Sequence, residues 1–209
     1  MMNDSFSSRK REVIQRISAC FFCVLLLGGT IFSVGCGKQQ MGENTLVLGK
    51  DGNIDEYLVE EFPIDLYDID EWENDCKVQI EAYNNEAKKE AVTLSDVGLM
   101  DSVLRCTLHY ESDDAYFGFN RIPLYYGTIS DAVTAGYSLL VPVNDVKSNA
   151  PVTSEELLNM KNKHICICSE PVNVVTYKKV KYLSEGASLG EDGKTVTVEG
   201  DKTVYIVFE

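Results

Sequence analysis

A histidine and two cysteines alternate in the segment "HICIC", as His164, Cys166 and Cys168. Alternation places all three on one face of a strand, and imidazole and thiolate groups are zinc ligands. Successive residues on one strand face are about 7 Å apart, whereas zinc ligands lie about 2.0 to 2.3 Å from the metal. One straight strand therefore cannot close a site, and a fourth ligand such as His109 would have to come from elsewhere. We expect small buried cysteines here, with no metal and no other cofactor.

An acidic segment, "DLYDIDEWEND", is the second candidate for chemistry, because clustered carboxylates can bind calcium. An EF-hand loop needs glycine at its sixth position and glutamate at its twelfth. Counted from Asp65, those positions hold Asp70 and Cys76, so the pattern fails. The segment instead predicts the N-terminus of a helix with a solvated face.

Catalytic motifs give no further candidates. The chain has only two histidines, and it contains no phosphate loop or dinucleotide fingerprint. A catalytic pair of carboxylates remains an alternative in so acidic a chain, although no spacing singles out such a pair. The middle of the chain is aromatic, and we expect most of these side chains in the core, with a sugar or peptide site as the alternative: Tyr110, Tyr116, Phe117, Phe119, Tyr125 and Tyr126. We name no catalytic residue.

The N-terminus has the pattern of an export signal. Four basic residues lie within the first sixteen, and residues 17–35 contain no charge. An uncleaved membrane helix is the alternative, because about 20 apolar residues can cross a bilayer. Small residues near the end of the apolar run, including Ser33 and Gly35, favour cleavage.

The end of this run, "TIFSVGCGKQQ", resembles the lipobox of bacterial lipoproteins. The resemblance implies cleavage after Gly35 and a diacylglyceryl group on the sulfur of Cys36. Two acyl chains suffice for a stable membrane anchor. The whole chain is similar to small uncharacterised envelope lipoproteins of Gram-positive bacteria, which implies a lipid-anchored protein on the extracytoplasmic face of the cell membrane.

The charge of the mature chain excludes one class of partner. The signal segment holds 4 of the 19 Lys and Arg residues and 2 of the 33 Asp and Glu residues, so the rest carries a formal charge of −16. A general nucleic-acid binder needs a basic surface. We therefore expect membrane attachment through Cys36, no nucleic acid, and an unidentified protein, peptide or glycan ligand.

Four cysteines follow Cys36, namely Cys76, Cys106, Cys166 and Cys168. Three disulfide pairings are open to them in an exported chain. A domain of this length does not need disulfides, so we favour reduced thiols in the core.

Periodicity predicts the order of the elements. Strands over 45–49 and 54–61 flank a turn, and a second strand pair covers 92–99 and 102–110. Between them, a helix capped by Asp68 should turn one apolar face inward, formed by Trp72, Cys76, Ile80, Tyr83 and Ala87. A turn-rich stretch, "NDVKSNAPVTSEE", predicts a boundary, and strand patterns follow it to the C-terminus.

These elements predict an α+β fold, in which hairpins pack on one long amphipathic helix and a β-rich C-terminal meander follows. The predicted regions are a signal peptide (1–35), a flexible tether (36–43), an α+β domain (44–147) and a small β-rich region packed on it (148–209). The predicted function is a non-enzymatic binding or assembly module. The alternative is an extracytoplasmic hydrolase that uses carboxylates or the histidine and cysteine strand.

Overall fold

The computed structural model describes residues 41–200 and 202–209. The predicted signal peptide, Gly35 and Cys36 lie outside the described residues, as does most of the tether. Among the residues that are described, no helix is long and apolar enough to cross a membrane.

Local sequence signals explain where the four helices begin. The first, α1 (Ile69–Ala87), starts at the predicted cap Asp68, whose side chain accepts hydrogen bonds from the backbone N–H groups of Asp70 and Glu71. Serine or threonine caps each of the others in the same way. Their bounds are α2 (Asp113–Asn120), α3 (Ile129–Thr134) and α4 (Ser154–Asn159).

Thirteen strands are present in the described part of the chain, with the following bounds: β1 (Thr45–Leu48), β2 (Ile54–Glu61), β3 (Val92–Met100), β4 (Val103–Tyr110), β5 (Leu124–Thr128), β6 (Val143–Asp145), β7 (Pro151–Val152), β8 (His164–Cys168), β9 (Asn173–Val175), β10 (Val180–Ser184), β11 (Ala187–Leu189), β12 (Thr195–Val198) and β13 (Val204–Phe208). Both predicted strand pairs near the N-terminus are confirmed as antiparallel hairpins. Asp101 and Ser102, both with left-handed backbone angles, turn β3 into β4.

The strands form two sheets. Sheet A has seven strands in the order β11-β12-β9-β1-β2-β4-β3, and sheet B has six in the order β5-β8-β13-β10-β6-β7. Only the pairing of β1 with β9 is parallel among the described strands. Strands from before and after residue 147 share both sheets, because the chain crosses between them repeatedly. Residues 41–209 form one compact unit.

Two hydrophobic cores hold the layers together. The first core lies between the inner faces of the sheets and continues beneath α1 and α2; it includes Leu46, Ile54, Val174, Ile206 and Phe208. The second core lies on the opposite face of sheet B, where α3 and α4 cover Ile165, Ile167 and Val207 with Ile129 and Leu157. Alternation along β8 explains this arrangement, since its even-numbered residues face the first core and its odd-numbered ones the second.

The predicted fold class is wrong. Strands contain 38% of the described residues and helices 23%, and two sheets form the framework. The helix over 69–87 does form, but it buries only Ile80 and packs on β3 at the edge of sheet A. The C-terminal strands form no separate meander, because β9, β11 and β12 join sheet A while β8, β10 and β13 join sheet B. Periodicity shows which face of a strand is buried, but it does not show which sheet will cover that face.

Candidate functional site

The "HICIC" segment is a strand of the core. Cys166 and Cys168 are buried in the first core, and His164 lies on the same face, half-buried, with its Nδ1 atom 3.0 Å from the Tyr177 hydroxyl. Burial and the neighbouring Lys178 charge lower the pKa of His164. The alternation that placed the three side chains on one face is therefore correct.

His109, the fourth ligand considered, lies in the other sheet. It belongs to the outer face of β4 and contacts Asp55, with 2.6 Å between its Nδ1 and the carboxylate oxygen. Among the described residues, no three histidine, cysteine or acidic side chains converge in a way that could hold a metal.

Most of the aromatic segment belongs to the core, as predicted. Tyr110, Tyr116, Tyr125 and Tyr126 are buried, whereas Phe117 is 46% exposed. All four cysteines of the described region are free thiols, and the three on strands are buried. Burial raises the pKa of the Cys76 thiol to about 11 and that of Cys106 further, so both are poor nucleophiles at neutral pH.

Contrary to the expectation that catalytic motifs give no further candidates, one serine has the spacing of a hydrolase nucleophile, Gly186-Ala-Ser188-Leu-Gly190. Such a serine normally lies on a sharp turn from a strand into a helix. Ser188 instead lies within β11, an edge strand of sheet A, opposite Thr197 of β12. Its surroundings are those of an exposed hairpin strand.

A carboxyl group interrupts the aliphatic inner face of sheet A. The residues aligned across five neighbouring strand pairs are, in order, Val196, Val174, Leu46, Glu56, Leu108 and Leu94. Glu56 is the one residue in this row with an ionisable side chain, and the other five are aliphatic. It faces inward because Ile54 and Leu58, at alternate positions of β2, belong to the first core.

The Glu56 carboxyl has two polar neighbours. The Tyr110 hydroxyl donates a hydrogen bond to its Oε2 atom at 2.5 Å, and the Asn120 side-chain amide donates to the Tyr110 hydroxyl at 3.0 Å. Burial is the main effect on Glu56 and raises its pKa to about 7; the nearby Glu170 charge adds to the rise. The hydrogen bond from Tyr110, and a longer one of 3.5 Å from the Asn120 amide to the same Oε2 atom, lower the pKa and offset this rise only in part.

A second carboxyl and tyrosine pair adjoins the first. Tyr116 of α2 donates a hydrogen bond of 2.5 Å to Glu170, which follows β8 in the chain. Burial raises the pKa of Glu170, and the hydrogen bond opposes that rise. The Tyr110 and Tyr116 rings meet edge to face with centroids 5.0 Å apart. We call the five residues Glu56, Tyr110, Tyr116, Asn120 and Glu170 the acid–tyrosine junction.

Glu60 extends this group along β2. It is 9% exposed, and burial together with the Glu56 charge raises its pKa to about 7. Chemically, carboxyl groups with such pKa values could donate or accept a proton at neutral pH. An open groove of about 520 Å³ lies elsewhere, between the C-terminal half of α1 and β3, and is lined by none of the junction residues. Tyr110 and Tyr116 of the junction are buried, whereas Glu56, Asn120 and Glu170 are half-buried.

An exposed acidic loop is the other unusual feature. Residues 63–68, which we call the tip, connect β2 to α1 and are all exposed. The tip presents Ile64, Leu66 and Tyr67, which are 55%, 74% and 36% exposed. Hydrogen bonds from the N–H groups of Leu66 and Tyr67 to the Pro63 carbonyl fold it into a turn.

Comparison with known proteins gives no relative: no protein family, curated protein or solved structure matches this chain.

The sequence contained one signal for the junction that motif searches do not use. Glu56 and Glu60 occupy the inward positions of a strand whose other inward residues are apolar. Nothing in the sequence indicated that Glu170, 54 residues after Tyr116, would contact α2.

Proposed function

We propose that the protein is a lipid-anchored module of the bacterial cell envelope that binds a partner without catalysing a reaction. The lipobox-like segment ending at Cys36 supports the anchor. The observation that carries the binding role is the tip, because soluble surfaces rarely present several large apolar side chains together without a partner.

The position of the tip suits a protein held at a membrane. β1 begins and β2 ends at the same end of sheet A, because the two strands are antiparallel. The tip therefore leaves the end at which the chain arrives from Cys36. Eight residues lie between Cys36 and Thr45, and a segment of this length spans at most about 30 Å. A partner seated on the tip would lie close to the membrane surface.

The charges around the tip define the chemistry of that partner. Between Lys50 and Lys77 the chain has eleven acidic residues and no basic one. Glu61, Asp65 and Asp68 are exposed beside the apolar side chains. An anionic lipid surface would be repelled, whereas a cationic, partly apolar protein segment matches both features. We therefore favour a protein partner over a glycan or the bilayer itself.

The anchor is tested by replacing Cys36 with serine in cells that express the full chain. We expect the variant to leave the membrane fraction while the unchanged protein stays in it, because a serine oxygen is not a substrate for thiol lipidation. Equal retention of both proteins in the membrane fraction would refute lipidation.

The tip is tested with a synthetic amphipathic peptide of lysine and leucine, titrated into the full-length protein. Ile64→Ser with Leu66→Ser should weaken binding roughly tenfold, because two apolar contacts are lost. Leu140→Ser is the matched control, since Leu140 is 78% exposed in a different region. Equal affinity of both variants, or tighter binding to phosphatidylglycerol vesicles than to the peptide, would contradict the proposal.

An extracytoplasmic hydrolase is the alternative. The pKa of about 7 for Glu56 favours it, because a general acid or base works best near the ambient pH. The Glu56 carboxyl is bonded to Tyr110 and does not line the open groove beside α1, which favours binding instead. Turnover of nitrophenyl ester or glycoside substrates, lost in Glu56→Gln, would select the hydrolase.

A further inference from the structure

We propose that the acid–tyrosine junction is a pH-sensitive contact, which holds α2 and the segment after β8 against sheet A when its carboxyls are protonated and loosens when they ionise.

The geometry places the two carboxyls on different parts of the fold. Glu56 belongs to β2 of sheet A, and Glu170 follows β8 of sheet B. Helix α2 lies between them, because Tyr116 contacts Glu170 and Asn120 contacts the Tyr110 hydroxyl. A change in the charge of either carboxyl should therefore alter the stability of the contact between α2 and the sheets.

The groups that face the junction offer no compensating positive charge. Around Glu56 lie Glu60 of β2 and the thiols of Cys106 on β4 and Cys76 on α1; burial raises the pKa of each, and the Glu56 charge adds to the rise. The Cys166 thiol of β8 lies near Glu170, and its hydrogen bond with Cys168, its burial and the charges of Asp113 and Glu170 raise its pKa. The nearest base on α1, Lys77, is paired with Glu73 at the surface. Ionising Glu56 and Glu170 together would thus place two negative charges close to each other at the contact of α2 with sheet A, where they repel.

The direction of the pH effect follows from the raised pKa values. A carboxyl whose pKa is higher in the folded state than in the unfolded state stabilises the fold when it is protonated. That contribution is complete below about 4.5, the ordinary value, and is lost as the pH rises through about 7. The junction should therefore be firmest in mildly acidic surroundings and weakest in alkaline ones.

The first experiment measures unfolding of the full-length protein by urea near pH 5.5 and near pH 8. For one carboxyl with a pKa moved from 4.5 to about 7, the unfolding equilibrium constant rises roughly 30-fold over this interval. Glu60 and Glu170 also have raised pKa values and add to this rise, so Glu56→Gln should reduce it roughly 30-fold without abolishing it. Glu155→Gln, an exposed site on α4, is the matched control and should leave it unchanged.

The second experiment locates the effect by amide hydrogen exchange. The N–H of Tyr116 in α2 and that of Leu157 in α4 donate to the carbonyls of their cap residues, Ser112 and Thr153, both at 3.0 Å. After correction for intrinsic rates, protection of Tyr116 should fall at least about tenfold relative to Leu157 between the two pH values. Glu170→Gln should reduce this fall, which keeps the test available if Glu56→Gln does not fold.

Two results would overturn the proposal. One is an unfolding constant that does not rise with pH, or that rises equally in Glu56→Gln and Glu155→Gln. The other is equal loss of protection at Tyr116 and Leu157, which would mean that ionisation destabilises the whole fold rather than the α2 contact. Neither result depends on whether the tip binds a partner.

Discussion

The two hydrophobic cores differ in what their helices bury. Beneath α3 and α4, the second core is formed by aliphatic side chains and Tyr125, whose hydroxyl donates to the Thr128 carbonyl at 3.0 Å. Beneath α2, the first core includes the acid–tyrosine junction, where two hydroxyls donate to carboxyl groups. The second core is thus held by apolar burial, whereas the contact of α2 also depends on protonation.

This difference indicates which part of the fold can respond to the surrounding pH. The free energy gained by burying apolar side chains changes little with pH, so the stability of the second core should not depend on pH. A carboxyl with a pKa of about 7 changes charge within the ordinary range of pH outside a cell. Variants in the two cores should therefore differ in the pH dependence of their effects as well as in their size.

The largest effect is expected in the second core. Leu157 of α4 is fully buried, and Leu157→Ala should lower the free energy of unfolding by about 2 to 5 kcal/mol through the cavity it leaves. Urea unfolding near pH 5.5 and near pH 8 should give the same loss. A loss that changes strongly between these pH values would break the contrast between the cores.

A smaller effect that varies with pH is expected at Tyr116. Tyr116→Phe removes the donor to Glu170 and should cost about 1 to 3 kcal/mol. The hydrogen bond lowers the pKa of Glu170, so its loss should raise that pKa further and make the cost larger near pH 8 than near pH 5.5.

Tyr125→Phe is the control for this variant, because its hydroxyl donates to a backbone carbonyl in the second core. Its cost should be the same at both pH values. Equal pH profiles for the two tyrosine variants would remove the distinction that we draw between the cores.

The smallest effects concern the helix caps. Ser112 caps α2 by accepting from the Ala115 N–H at 3.2 Å, and Ser112→Ala should cost about 1 kcal/mol.

Thr153 caps α4 in a capping box with Glu156, and their hydrogen bonds lower the pKa of Glu156. Thr153→Ala should therefore cost more at neutral pH than in acid, since the box is weakened when Glu156 is protonated. Thermal unfolding at neutral pH and at a pH well below 4.5, where Glu156 becomes protonated, would detect a cost at Thr153 that fails to shrink in acid.

Much of the local structure could be predicted from the sequence. The cap at Asp68, the first hairpin and the inward faces of the strands follow from short-range patterns. The sheet order could not be predicted, because the parallel pairing of β1 with β9 joins residues more than 120 positions apart. For the same reason, the contact of Tyr116 with Glu170 depends on the assembled sheets rather than on any motif.

The most direct test of the junction is the titration of the Glu56 carboxyl carbon by nuclear magnetic resonance in the full-length protein labelled with carbon-13. Because desolvation at the contact between sheet A and α2 raises the pKa of Glu56, we expect the chemical shift of this carbon to titrate with a midpoint near pH 7. A midpoint near 4.5, the ordinary value for glutamate, would contradict the account of a proton-dependent contact between α2 and sheet A.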